Sequence, residues 1–476
     1  MSGLTQLSAV ELRNALARKE VSAVTVVTAH LDALAADSGK VNAVVSANPQ
    51  AALARAAELD EIGPAANLPL FGLPVVIKDT HNAAGFPTTS GSIRATGAPA
   101  SRNDAHVQRM VDAGAVIIGK SNVPEYAAGS HSVNRVFGGT SNPYALDRSA
   151  GGSSGGAAAA LAARQVALAD GSDMGGSLRN PAAFCNVVGL RPTPGLIPNA
   201  EATNLFTPLT VIGPMGRTVA DVALLLSVLV PEPEAGAAVP PIRPDLDAIP
   251  FAGLRIAWAP TLDGRVPVEP AVLNTLTPAI ELFRAGGATV VEACPPLDEA
   301  EQVFRTLRAA EFAAEWETQL IDDPEDFNER LAGNIRDARG LTAADAMRAQ
   351  EGLTRLVRGA DQFFREFDLL LTPVTQVPAF PSEWDYPDEV AGEAQPDYLG
   401  WMRSAFLLTP LGIPALSLPA GFTSDGLPIG LQMLSARGSD QRLLSIAQSF
   451  ERVTGFAALA PENAPHSTNR SPLPHA

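Results

Sequence analysis

The chain of 476 residues is 46% apolar and 18% charged, enough to close a large core, and its formal net charge of −17 leaves no basic stripe for a polyanion, which excludes nucleic acid as a partner. Its two cysteines, Cys185 and Cys294, stand far apart in different settings, so neither a disulfide framework nor a thiolate metal cluster fits, and the compartment reads as reducing. The first residues lack a basic segment followed by an apolar core, and the longest apolar run, Val222 to Val230, is about half a membrane span, so the sequence predicts a cytoplasmic protein without a membrane partner.

In chain order, Ser8 to Ala36 repeats apolar positions at three and four and carries Ser8 and Ser22 where caps belong, which predicts two helices. Asn42 to Glu61 reads as a short extended segment and a helix. The period then changes: in Leu68 to Thr80 the run Val75, Val76, Ile77 makes a buried strand that ends in the charge of Lys78. Gly85 to Thr96 is loop, Ala105 to Gly114 a helix, Ala115 to Ile118 a buried strand, and Gly119 to Tyr126 a turn. Strand, helix and strand in this order predict a mixed or parallel sheet covered by helices. The residues NPYALDRSA before Gly151 are turn-like, the alanine-rich stretch after GGSSGG packs as a helix, and Gln165 to Ala169 is a short apolar run that Asp170-Gly171 ends.

After Thr218 a capped helix, Val219 to Val230, leads into a proline-rich connection reaching Pro250. Leu254 to Trp258 and Ala288 to Glu292 read as strands around a helix from Pro270 to Ala285, and Leu297 to Phe367 is mostly helical. The strand pattern returns at Leu369 with LLLTPV, and a proline-rich loop follows to Pro396. Ala415 to Leu434 gives two strands around the turn Thr423 to Gly426, Gln441 to Glu451 a closing helix, and the tail after Pro461 frays.

Three motifs compete for the chemistry. Gly114 to Ser121, GAVIIGKS, satisfies a phosphate-loop pattern, but its middle positions are Ala-Val-Ile-Ile, which belong inside a sheet, and Pro124 stands where the helix should be under way. GxSxG occurs twice in overlap from Gly151, yet a nucleophile elbow needs a strand before it and a histidine after it, and the later histidines, His466 and His475, lie in the tail. There remain two glycine-flanked serines, Ser153 in GGSSGG and Ser177 in DMGGSLRNPA, with Lys78 as their base. A lysine serves as a base only when neutral, and burial at the end of an apolar strand favours the neutral amine.

PVVIKD, GGSSGG and GSDMGGSLRNPA in this order, with GKSNVPE at Gly119, FGGTSNPY at Phe137, VVGLRPTPG at Val187, IGPMGRTVAD at Ile212 and PAGFTSDGLPIGLQM at Pro419, resemble the amidase signature family from about Leu7 to Glu451. The resemblance implies an α/β amidase signature fold, a large mixed β-sheet core covered by helices on both faces, in a single domain. Its signature core would span about 65–230, a variable substrate-shaping region 231–410, and a return to the sheet 411–452, with a loose tail at 461–476. It implies a triad of Ser177 as nucleophile, Ser153 as bridging serine behind a cis peptide bond, and Lys78 as base. The oxyanion hole would use the backbone N–H groups of Met174, Gly175, Gly176 and Ser177, with Ser154, Asp173 and Arg179 in support. Tyr126, Ala127, Gly129 and Phe137 would form the pocket wall. No cofactor or metal is implied: His81 and His131 lack spaced companions and read as loop histidines at the entrance, and Cys185 reads as a small buried hydrophobe.

Two activities fit. One is a stand-alone hydrolysis of a carboxamide, anilide or carbamate through a seryl acyl-enzyme, with a homodimer as one possible assembly and the oligomeric state left open. The other is the glutaminase component of a tRNA-dependent amidotransferase that needs partner subunits. Thr409, where many relatives carry Asn, and Asn180, where Ile, Gln or Thr is common, depart from the pattern and unsettle any transfer of substrate preference.

Overall fold

The computed structural model describes every residue except 1–2, 65–67, 96, 203, 205–208, 232–241 and 465–476. Part of the proline-rich connection, Thr96 at the end of the predicted loop, and the tail from 465, with His466 and His475, therefore lie outside the described residues. Eleven strands form one mixed sheet: β1 (Val44–Ala47), β2 (Pro74–Lys78), β3 (Val116–Ser121), β4 (Leu168–Asp173), β5 (Val188–Arg191), β6 (Val211–Gly216), β7 (Arg255–Trp258), β8 (Thr289–Glu292), β9 (Leu369–Pro373), β10 (Ala415–Phe422) and β11 (Pro428–Leu434). Across the sheet they run β1-β3-β2-β4-β6-β5-β10-β11-β9-β7-β8.

β2 is buried at every residue, as are β5, β6 and β11, so helices and loops cover both faces of the sheet centre. β3 and β4 flank β2 in parallel, which brings the C-terminal ends of three strands, Lys78, Ser121 and Asp173, to one edge. That edge is where open α/β sheets place their sites. The helix Gly155–Ala162 lies behind it, wholly buried, and comes so close that a Cβ at Gly156 would meet Asn122 N at 2.2 Å.

The predicted caps are present. Ser8 and Thr218 form capping boxes with Glu11 and Asp221, and Ser22 accepts the Thr25 N–H. The helices Ala300–Asp322, Glu329–Arg336 and Ala343–Phe363 fill the region read as mostly helical. Three expectations change. β3 runs through Gly119 and Lys120 to Ser121, where a turn is expected, because β2 pairs with it to that residue. The stretch before Gly151 contains a short strand, Ala145–Ser149, paired with Ser141–Asn142 in a hairpin outside the main sheet, because main-chain pairing there overrides its turn-prone residues. Asp170 and Gly171 do not end the apolar run: β4 continues through them to Asp173, since β6 pairs with it residue by residue.

Candidate active site

Lys78 closes β2 with no exposed surface, and its Nζ lies 2.8 Å from Ser153 Oγ and 2.9 Å from Ser172 Oγ. Burial pushes the amine down to about 7, against the pull of Asp170 and Asp173, which favour the ammonium. The peptide bond between Gly152 and Ser153 is cis. Ser154 follows at the start of the buried helix; its N–H donates to Ser177 O at 3.0 Å and its hydroxyl to Ser172 O at 3.4 Å.

Ser177 is half-buried, and among the described residues its hydroxyl has no hydrogen-bond partner. The loop that carries it is built on Asp173. One carboxylate oxygen takes the Gly176 N–H at 2.9 Å and the other the Leu178 N–H at 3.1 Å. Arg179, buried beneath, pairs with Asp173 at 2.8 and 3.0 Å and donates to Ala405 O and Gln432 Oε1. The two charges lock the loop, and burial of the Asp173 carboxyl, which alone would raise its pKa, is outweighed by Arg179, so it stays well below the usual range. Gly176 adopts φ +122°, where a side chain would also collide with Asn180 and Ala405. Because the Gly176 N–H is spent on Asp173, it leaves the set of free oxyanion donors expected from the sequence. The N–H groups of Met174, Gly175 and Ser177 meet no acceptor among the described residues, and the Met174 carbonyl accepts the Thr409 hydroxyl at 2.8 Å.

Tyr126 lies at the edge of the site. Its ring stacks on Phe327 with centroids 5.4 Å apart and tilts against Trp316 at 5.6 Å, while Phe312 meets Trp316 edge-on at 4.8 Å. Met174 packs on the same apolar cluster, so this aromatic wall reaches the loop that carries Ser177. Buried Asp326 bolts it down, accepting Ser92 Oγ at 2.5 Å and Tyr126 OH at 2.6 Å. Ala127 continues the left-handed turn, and Gly129 leaves room for Arg330, which would lie 2.9 Å from a Cβ there. Phe137 does not join the wall; it belongs to the hairpin around Val133–Asn134 and Gly138–Gly139 and shares no ring contact with the cluster.

His131 is a loop histidine satisfied at both nitrogens, by Ser149 Oγ at 2.7 Å and Ser382 O at 2.9 Å. His81 differs from the sequence reading, for β4 brings it a carboxylate. Its Nδ1 lies 2.6 Å from Asp170 Oδ2, and His106 Nε2 approaches the same oxygen at 3.0 Å. Their donor atoms lie within 4.8 Å of one another, each engaged in these hydrogen bonds to Asp170. Lys120 of the rejected phosphate-loop pattern lies inside β3, buried and paired with Asp79 at 3.4 Å.

Sequence reading missed Ser172, Asp170 and His106. A signal existed for the first two, because they stand two apart on a strand and so share a face with each other. His106 sits in a helix distant in sequence, and only the fold delivers it.

The sequence pattern of the family described as Amidase matches residues 25–444. A glutamyl-tRNA(Gln) amidotransferase subunit from Chloroflexus aggregans is 36% identical over 98% of this chain and all of its own length, and an acylamidase of Rhodococcus erythropolis is 33% identical over 96% and 98%. Among solved structures, a bacterial aryl acylamidase of the amidase signature enzymes superposes with a TM-score of 0.88 at 27% identity, covering 98% of this chain and 100% of that one. The peptide amidase of Stenotrophomonas maltophilia does so with a TM-score of 0.77 at 29% identity, covering 94% and 97%. The chain is therefore an amide-hydrolysing enzyme and belongs to the amidase signature family.

Proposed function

We propose that the isolated chain cleaves the C–N bond of a small carboxamide, anilide or carbamate through a seryl acyl-enzyme. Neutral Lys78 takes the Ser153 proton as Ser153 takes that of Ser177, and Ser177 Oγ attacks the carbonyl carbon. The oxyanion forms against the N–H groups of Met174, Gly175 and Ser177, each such donor contributing about 3 to 4 kcal/mol to the transition state. The tetrahedral adduct collapses, the relay returns its proton to the departing nitrogen, and water, activated by the same relay, releases the acyl group. The observation that carries this reading is the buried amine 2.8 Å from the hydroxyl of Ser153.

The second reading, a glutaminase that works only inside an amidotransferase complex, draws support from the likeness to the Chloroflexus aggregans protein. Against carrying that preference over, the two departures touch the loop that carries Ser177: Thr409 holds the Met174 carbonyl, and Asn180 abuts Gly176. The first reading predicts turnover of aryl amides by the purified chain, with hydroxylamine diverting the acyl group to a hydroxamate and Ser177→Ala abolishing both products. Silence on every amide until partner proteins are supplied would favour the second, and turnover without diversion would remove the acyl-enzyme.

A further inference from the structure

The cluster behind the base is the part of the site that the triad does not use. Asp170 is fully buried on β4, with His106 buried and His81 nearly so. One oxygen of Asp170 accepts the Lys78 main-chain N–H at 2.7 Å, and the other accepts from His81 and His106. The chain then closes on itself: the His81 N–H donates to Lys78 O at 2.9 Å. Both main-chain polar groups of Lys78 are thus held, one by Asp170 and the other by the residue whose ring Asp170 anchors.

We propose that Asp170 is a positioning residue for Lys78, oriented by His81 and His106, and that its buried charge acts on the amine that serves as the base. The proposal rests on Lys78 being the base. The other groups around Lys78 leave this task to Asp170. Asp79, next in the chain, pairs with Lys120 of β3 and accepts from Thr89. Asp173, also on β4, is matched by Arg179 and by Arg191 at 3.7 Å. Ser153 and Ser172 are neutral. Asp170 alone among these three carboxylates has imidazoles rather than a permanent cation as its side-chain partners, and each ring turns one nitrogen to it. Its negative charge therefore reaches Lys78 less compensated than the others, opposing the desolvation that drives the amine neutral.

The sign follows. Removing the charge while keeping the shape leaves desolvation unopposed, so the base turns neutral at lower pH. Asp170→Asn retains an acceptor for the Lys78 N–H and offers two N–H donors to His81 and His106, which accept them by changing tautomer. The acid limb of kcat/KM for an anilide should move down by about one to two pH units, with kcat at the plateau falling roughly tenfold. His81→Ala should lower kcat with KM little changed, and His81→Asn, whose side-chain N–H replaces that of the ring, should restore most of the loss. A folded Asp170→Asn enzyme whose acid limb coincides with that of the parent overturns the proposal. If that variant does not fold, parental kcat in His81→Ala overturns it. Lys78→Ala separates the two levels: near-parental activity there would remove the base itself, whereas its inactivity beside an unmoved limb in Asp170→Asn removes only the role of Asp170.

Discussion

At Lys78 two opposing effects meet in one side chain. Desolvation lowers the amine to about 7 while two carboxylates hold it up, so near neutral pH a useful fraction is free to accept a proton. The same shift has a sign for stability. Between about pH 7 and 10 the folded chain has released a proton that the unfolded chain retains, so this group makes stability rise with pH through that window. Lys78→Met should therefore melt higher than the parent at pH 7, with the gap closing towards pH 10, as thermal melts at both values would show. Thr409→Val tests a finer contact. Losing the hydrogen bond to Met174 O should cost about 1 kcal/mol of transition-state stabilisation, seen as a severalfold drop in kcat, whereas an unchanged kcat would leave Thr409 a packing residue. Lys78 and Ser153, which the structure brings within 2.8 Å, stand out in the sequence because glycine crowding and a charge at the end of an apolar strand are local signals. The loss of the Gly176 N–H to Asp173 does not, since it depends on which way a loop folds back over its own strand.

At the scale of elements, the loop that carries Ser177 depends on a buried ion pair between the end of β4 and the start of the helix Arg179–Phe184. Arg179→Ala strands the Asp173 carboxylate in the core and should cost about 3 to 5 kcal/mol of stability, measured by denaturant unfolding. A second element-level device joins the closing helix Asp440–Thr454 to the N-terminus of the helix Val219–Leu229, where Glu451 accepts the Val219 N–H at 2.8 Å. Burial raises this carboxyl to about 8, so the folded chain keeps a proton there that the unfolded chain loses above about pH 4.5. Its contribution falls with rising pH, and Glu451→Gln should be the more stable protein at pH 8 while matching the parent at pH 4. Most elements were readable from period and caps. The misread ones, Ala145–Ser149 and the ends of β3 and β4, owe their strand form to pairing, with the adjacent Ser141–Asn142 in the first case and with strands remote in sequence in the others, which local composition does not record.

For the whole molecule, the sheet supplies the catalytic edge and the helical region after Leu297 supplies the wall beside it. Phe312, Trp316 and Phe327 come from that region and meet Tyr126 and Met174 of the core. The sequence marked the region as variable and helical but could not show which of its faces meets the site, because an amphipathic helix does not name its neighbour. An aromatic surface of this kind favours a flat apolar group. Trp316→Ala should raise KM for anilides by about tenfold and leave short aliphatic amides nearly unaffected; equal losses on both would assign Trp316 to folding instead.

The central claim is that a desolvated lysine amine drives a two-serine relay, and the pH dependence of kcat/KM for an aryl amide, taken for the parent and for Lys78→Ala, tests it most directly. The account predicts a parental acid limb with its midpoint near 7, and in Lys78→Ala a loss of at least about a hundredfold, with residual turnover that climbs with pH as hydroxide replaces the missing base. A parental profile flat from pH 5 to 9, or a Lys78→Ala enzyme that keeps the parental rate and limb, would contradict it.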